Sequence, residues 1–191
     1  VPLILLTSAA ATDTFTVSTT IGNSAPSISY VYAASYAPDA GTTKVIYLSF
    51  NVTDANGVVD IETASSFMNI TKSGETARTS TSCYSVANAS TTQKINCTIT
   101  IYYYDGPGTW NICAYATDGT DTTSNCTAEN LTMGNTDDIT IIEASLAFSG
   151  SPGAANVAAT ETPLTINNTG NQLYSSVDLT AYDLTSGGSD T

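Results

Sequence analysis

Three kinds of residue in this chain carry chemistry in their type and spacing: four cysteines, seven asparagines in Asn-x-Ser/Thr triplets, and a set of oxygen-bearing side chains around a glycine turn. The cysteines fall into two symmetric pairs. A hairpin turning on Gly119-Thr120 makes Cys113 face Cys126, and a loop centred on Ser90 makes Cys83 face Cys97. Four cysteines allow three pairings, and this register favours two local cross-strand disulfides, Cys83–Cys97 and Cys113–Cys126. Each would contribute about 3 kcal/mol by closing a short ring in the unfolded chain. A metal site is the weaker use, because the cysteines lack Cys-x-x-Cys spacing and the chain has no histidine.

The triplets begin at Asn51, Asn69, Asn88, Asn96, Asn125, Asn130 and Asn167, and each is a candidate N-glycan acceptor. In Ile46-Tyr47-Leu48-Ser49-Phe50-Asn51-Val52 the apolar alternation turns 46, 48, 50 and 52 inward and Asn51 outward. The same alternation is expected to expose Asn69 and Asn96.

The third set is Asp54-Ala55-Asn56-Gly57-Val58-Val59-Asp60-Ile61-Glu62, in which Asp54, Asn56, Asp60 and Glu62 place hard oxygen ligands around a Gly turn, as Ca²⁺ requires. Such an ion would act as a structural clamp between sheet edges or domains, and no other cofactor is expected. Against it, Val58 stands where an EF-hand loop needs an oxygen and Ser65 at its closing position. The competing reading is an Asn-Gly turn with solvated acids.

Catalysis finds little support. Without histidine a serine nucleophile lacks its usual base, no Gly-x-Ser-x-Gly elbow occurs, and the aspartates gather in turns such as 118–121 and 137–138. The expectation is a non-enzyme.

Strands must position these residues. Between Ile95 and Met133, apolar and polar residues alternate with period two around the turns Asp105-Gly106-Pro107-Gly108 and Asp118-Gly119-Thr120-Asp121, which reads as three antiparallel strands. Further strands are expected at 13–21, from Ser27 to Tyr36, Lys44 to Thr53, Val58 to Ile61, Phe67 to Thr71 and Arg78 to Val86. Trp110 belongs in the core, opposite Leu48 and Phe50. Tyr102-Tyr103-Tyr104 and Tyr30, Tyr32 and Tyr36 either stack carbohydrate or pack the fold. After a boundary near Gly134-Asn135-Thr136, three strand-like runs follow, at 137–149, 156–166 and 174–184. The fold class is therefore all-β: an antiparallel β-sandwich followed by a second, incomplete β-sandwich. Residues 24–134 form the first, 135–191 the second, 12–23 a leading strand or linker, and 1–11 a signal-peptide remnant or a donor strand.

With 17 acidic residues against Lys44, Lys72, Arg78 and Lys94, the net charge is −13 across 191 residues. Nucleic acid and anionic membrane need clustered cations, so neither fits as a partner. Nor does the apolar start at 1–6 reach the length of a membrane span, and no membrane insertion is expected within this chain. Ser and Thr, 56 residues together, supply the polar surface instead.

Two stretches resemble known modules. Asn23-Ser-Ala-Pro26, Phe50-Asn-Val-Thr-Asp-Ala-Asn-Gly57 and Gly106-Pro-Gly-Thr-Trp-Asn-Ile-Cys-Ala-Tyr-Ala-Thr-Asp118 resemble the immunoglobulin-like modules of prokaryotic, archaeal-type surface glycoproteins. Leu164-Thr-Ile-Asn-Asn-Thr-Gly-Asn171 with Val177-Asp-Leu-Thr-Ala181 resembles the opening half of CARDB-like sandwiches. The resemblance implies tandem sandwiches, the first an immunoglobulin-like antiparallel β-sandwich, at an extracellular surface, in an S-layer, adhesin or filament setting, with other subunits or further copies as partners. Two rivals to a structural or adhesive glycoprotein module remain: a pilus-like filament subunit joined by donor strands, and a carbohydrate-binding module of a secreted enzyme.

Overall fold

A computed structural model describes residues 18–19, 22–126, 129–143, 145–151, 153–160 and 164–180. The apolar start at 1–11 and most of the strand expected at 13–21 lie outside these residues. The described chain is an all-β sandwich, with its core between two sheets.

β3 (Thr43–Thr53) and β7 (Thr92–Tyr102) form the centre of the first sheet, paired antiparallel along their whole lengths. Their alternation does what period two dictates. Ile46, Leu48, Phe50 and Val52 from β3, and Ile95, Cys97, Ile99 and Ile101 from β7, are buried, while the residues between face outward. β1 (Ser27–Val31) flanks β3, and β6 (Ser82–Asn88) flanks β7.

The second sheet is built on β8 (Gly108–Thr117), which buries Trp110, Ile112, Ala114 and Ala116 against the same core as Leu48 and Phe50. On one side β8 pairs with β4 (Phe67–Thr71), which in turn carries β5 (Arg78–Thr79). On the other side it pairs with β9 (Thr122–Asn125) and then β10 (Asn130–Met133), with a register shift of two residues between them. β2 (Ala34–Tyr36) adds to β10 in parallel.

Several expectations are corrected here, and one reason covers them. Alternation tells which face of a strand is buried but not which sheet the strand joins. The run from Ser27 to Tyr36 divides into β1 and β2, one in each sheet, and the run from Arg78 to Val86 divides in the same way into β5 and β6. Between Ile95 and Met133 there are four strands rather than three, with β7 in the first sheet and β8 to β10 in the second. Val58 to Ile61 is not a strand. Val58 and Ile61 pack on the core while Val59 stands in solvent, a spacing of three that belongs to turns, and a short 3₁₀ helix at Thr63–Ser65 follows. The segment carries the chain from the first sheet to the second.

Beyond the sandwich, β11 (Ile139–Ile141) and β12 (Ile166–Asn168) make a two-stranded antiparallel sheet, and Phe148 bridges Ala159. No strand occurs among the described residues 174–180.

Candidate functional site

The cysteines pair as their register requires. Cys83 of β6 lies opposite Cys97 of β7, and Cys113 of β8 is bonded to Cys126 just after β9; each Cα–Cα distance is 4.0 Å. Both bridges lie within a sheet and join neighbouring strands. The first faces inward, since Cys97 belongs to the core, and the second lies on the outer face of the other sheet.

The glycan-type asparagines are not equally open. Asn88, Asn130 and Asn167 are exposed. Asn51, Asn96 and Asn125 are half-buried: Asn51 Oδ1 accepts a hydrogen bond from the Tyr32 hydroxyl at 3.4 Å, and Asn96 Oδ1 accepts one from Ser49 at 2.5 Å. Asn69 departs furthest from its expected exposure. It sits in β4 between Thr79 and Cys113, with its Oδ1 buried and unpartnered. An outward position in a central strand is still shielded by side chains on both neighbouring strands, which the alternation of one strand does not reveal.

Three of the tyrosines, Tyr32, Tyr102 and Tyr104, have a cation over the ring. The Arg78 guanidinium lies over the Tyr102 ring at 4.3 Å and near Tyr104 at 5.6 Å, while forming a two-pronged ion pair with the fully buried Asp105. Lys94 lies 4.2 Å over Tyr32, and the Tyr36 hydroxyl donates to the Tyr47 carbonyl. The hydrogen bond to Asp105 raises the Arg78 pKa above its ordinary value, while Tyr30 and Tyr104 keep about half of their surface exposed.

The acidic set is rearranged by the crossover. β3 ends at Thr53; the Oδ1 of the next residue, Asp54, accepts the Asn56 N–H at 2.7 Å, and Gly57 takes the positive φ of 109° that turns the chain. The Glu62 N–H then donates to the Thr117 carbonyl at 2.8 Å, fastening the crossover to the end of β8. This contact brings Asp60 beside the β8–β9 turn. Asp54, Asp60 and Asp118 each present a carboxylate oxygen, and the three oxygens lie within 4.8 Å of one another. Asp54 is 1% exposed, and its Oδ2 is buried with no hydrogen-bond partner.

Two of the four expected ligands point elsewhere. Asn56 Oδ1 accepts the Ser24 N–H at 2.8 Å, and its Nδ2 donates to the Gly22 carbonyl at 3.2 Å, so it fastens the segment that enters the sandwich. Glu62 packs against Gly119, where an added Cβ would lie 2.6 Å from Glu62 Oε1. Asp118 was not among the expected ligands. It is distant in sequence and joins the set through the crossover alone, so no local spacing could have indicated it. Its carboxyl is held below the ordinary carboxylate range by the Asp121 N–H, with the Asn23 side chain adding to the effect. No protein-family model matches the chain, and no curated protein matches it in sequence.

Proposed function

We propose that this chain is a structural or adhesive module of an exported cell-surface glycoprotein, non-catalytic, whose faces meet neighbouring subunits or further copies of itself. The observation that carries this reading is where the disulfides lie. β6 is one of the two outer strands of the first sheet and β9 an outer strand of the second, and each is covalently stapled to its inner neighbour. Sheet edges are where a sandwich opens to proteases and to stray strand pairing. Bonds that close those edges persist in an oxidising compartment. The exposed Asn88, Asn130 and Asn167 triplets agree with export, and no helix among the described residues is long and apolar enough to cross a membrane.

Assembly with neighbours is favoured by a second observation. Ile141, Ile142, Phe148 and Leu173, beyond the sandwich, all expose more than half of their surface.

The test is peptide mass mapping of the protein purified from its own cells without reduction. Peptides carrying Asn88, Asn130 and Asn167 are expected to bear glycan mass, and Cys83 and Cys113 to be linked to Cys97 and Cys126. Unmodified asparagines together with free thiols would overturn the reading.

A further inference from the structure

We propose that Asp54, Asp60 and Asp118 form a binding site for a divalent cation with the chemistry of calcium, which clamps the two sheets together where the chain enters the sandwich. Three observations lead there. The first is convergence: one oxygen from each carboxylate lies within 4.8 Å of the other two, a spacing that one ion with oxygen ligands at about 2.3–2.6 Å can bridge. The second is the state of Asp54. Its side chain is almost wholly buried, and one of its oxygens has no hydrogen-bond partner. A buried carboxylate oxygen left without a partner is costly, and a bound cation removes that cost.

The third is charge. The chain has four basic side chains and no histidine, and all four are committed elsewhere. Lys44 pairs with Asp39, Lys72 with Glu75 and the Pro107 carbonyl, Arg78 with Asp105, and Lys94 lies over Tyr32. Among the described residues no basic side chain pairs with the three converging carboxylates, so a cation from solution would relieve their mutual repulsion. Oxygen-only donors select a hard ion, and the remaining coordination positions would be filled by water or backbone carbonyls, as is usual for calcium.

The position of the site gives the ion a task. Asp54 directly follows β3 of the first sheet, Asp60 belongs to the crossover, and Asp118 opens the turn after β8 of the second sheet. The entering segment is fastened to two of these pieces, the crossover and the turn after β8. The Asn23 side chain donates to Asp118 Oδ2 at 2.9 Å and to Asp121 Oδ2 at 3.3 Å, and Asn56 holds Gly22 and Ser24. An ion here stiffens the end of the sandwich and the segment leading into it.

The test is calcium titration by calorimetry, with melting curves, on the full chain after removal of divalent ions with a chelator. Wild type is expected to bind one calcium with an affinity on the order of 10⁻⁴–10⁻³ M, as extracellular modules do, and to melt several degrees higher when loaded. Asp60→Asn and Asp118→Asn should lose both responses, whereas Glu62→Gln should keep them. In chelator, Asp60→Asn should melt no lower than wild type, because it removes one of three repelling charges, so its loss of response is not misfolding. Absence of binding heat and of any melting shift up to about 10 mM calcium would overturn the proposal. So would a response that survives in both Asp variants, or one abolished by Glu62→Gln alone, which would return the site to the contiguous 54–62 loop.

Discussion

The sandwich and the segment beyond it carry similar apolar alternation, and they use it in opposite ways. In the sandwich, the inward residues of β3, β7 and β8 meet one another across two sheets and are removed from water. In the segment from Ile139 to Leu179, Ile141, Phe148, Leu173 and Leu179 remain in solvent, and what fixes the segment is polar. Asn171 is the centre of that attachment. Its Nδ2 donates to the carbonyls of Asp105 and Gly134, its Oδ1 accepts the Thr136 N–H, and nearby the Thr136 hydroxyl donates to the Pro38 carbonyl. The Gly41 N–H reaches the Thr169 carbonyl at 2.8 Å. Burial of apolar surface stabilises in proportion to area, whereas an exchanged hydrogen bond contributes only about 1 kcal/mol net. The two regions should therefore differ sharply in stability.

The largest expected effect lies where they touch. Asp105 is fully buried, accepts from Arg78 and from the Tyr102 N–H, and offers its own carbonyl to Asn171. Asp105→Ala leaves the Arg78 guanidinium, itself largely buried against Tyr102 and Tyr104, without its counter-charge. A loss of about 3–5 kcal/mol in denaturant unfolding of the sandwich is expected. A loss under 1 kcal/mol would mean that water reaches the pair and that this junction is as soft as the segment it supports.

How much of this was legible in the sequence follows from the same contrast. Period two in β3, β7 and β8 names every large inward residue of the central strands, and the two cysteine registers are local enough to be counted along the chain. Pairings that depend on the path between sheets are not legible. Arg78 meets Asp105, and Asp60 meets Asp118, only because β5 and the 54–66 crossover lie in or lead into the second sheet. Beyond Gly134, alternation again announces strands. It cannot announce their burial, because burial needs a facing sheet, and the described residues there supply only β11 and β12.

A smaller effect separates the regions directly. Gly170 is buried, and a Cβ there would lie 2.1 Å from the Thr136 carbonyl oxygen and 2.8 Å from the Asp138 nitrogen, both backbone atoms. Gly170→Ala must push the segment off its seat, at a cost on the order of 1–3 kcal/mol. Hydrogen exchange should then speed up at the amides of Ile142, Thr169 and Asn171, while β3, β7 and β8 keep their protection. Equal loss of protection in the sandwich would show that the two regions unfold as one unit.

The smallest effect tests how the segment holds itself together. The Glu143 carboxylate accepts the Thr165 N–H at 2.6 Å, next to the bond from the Ile142 N–H to the Thr165 carbonyl. That Thr165 N–H holds the Glu143 carboxyl below the ordinary glutamate range. A pKa depressed by folding means that the contact stabilises fully above the unfolded-state pKa and is lost as pH falls through the folded one. Acidification should therefore loosen β11 against β12 while the sandwich, whose core has no part in this titration, stays closed. Carboxyl-carbon NMR should place the Glu143 midpoint below that of an exposed glutamate, and Glu143→Gln should abolish the pH response of the β11–β12 amides. Because Glu143 is only half-buried, the effect should also weaken in high salt. An ordinary Glu143 midpoint would leave β11 and β12 held by backbone pairing alone, and the contrast with the apolar sandwich would be sharper still.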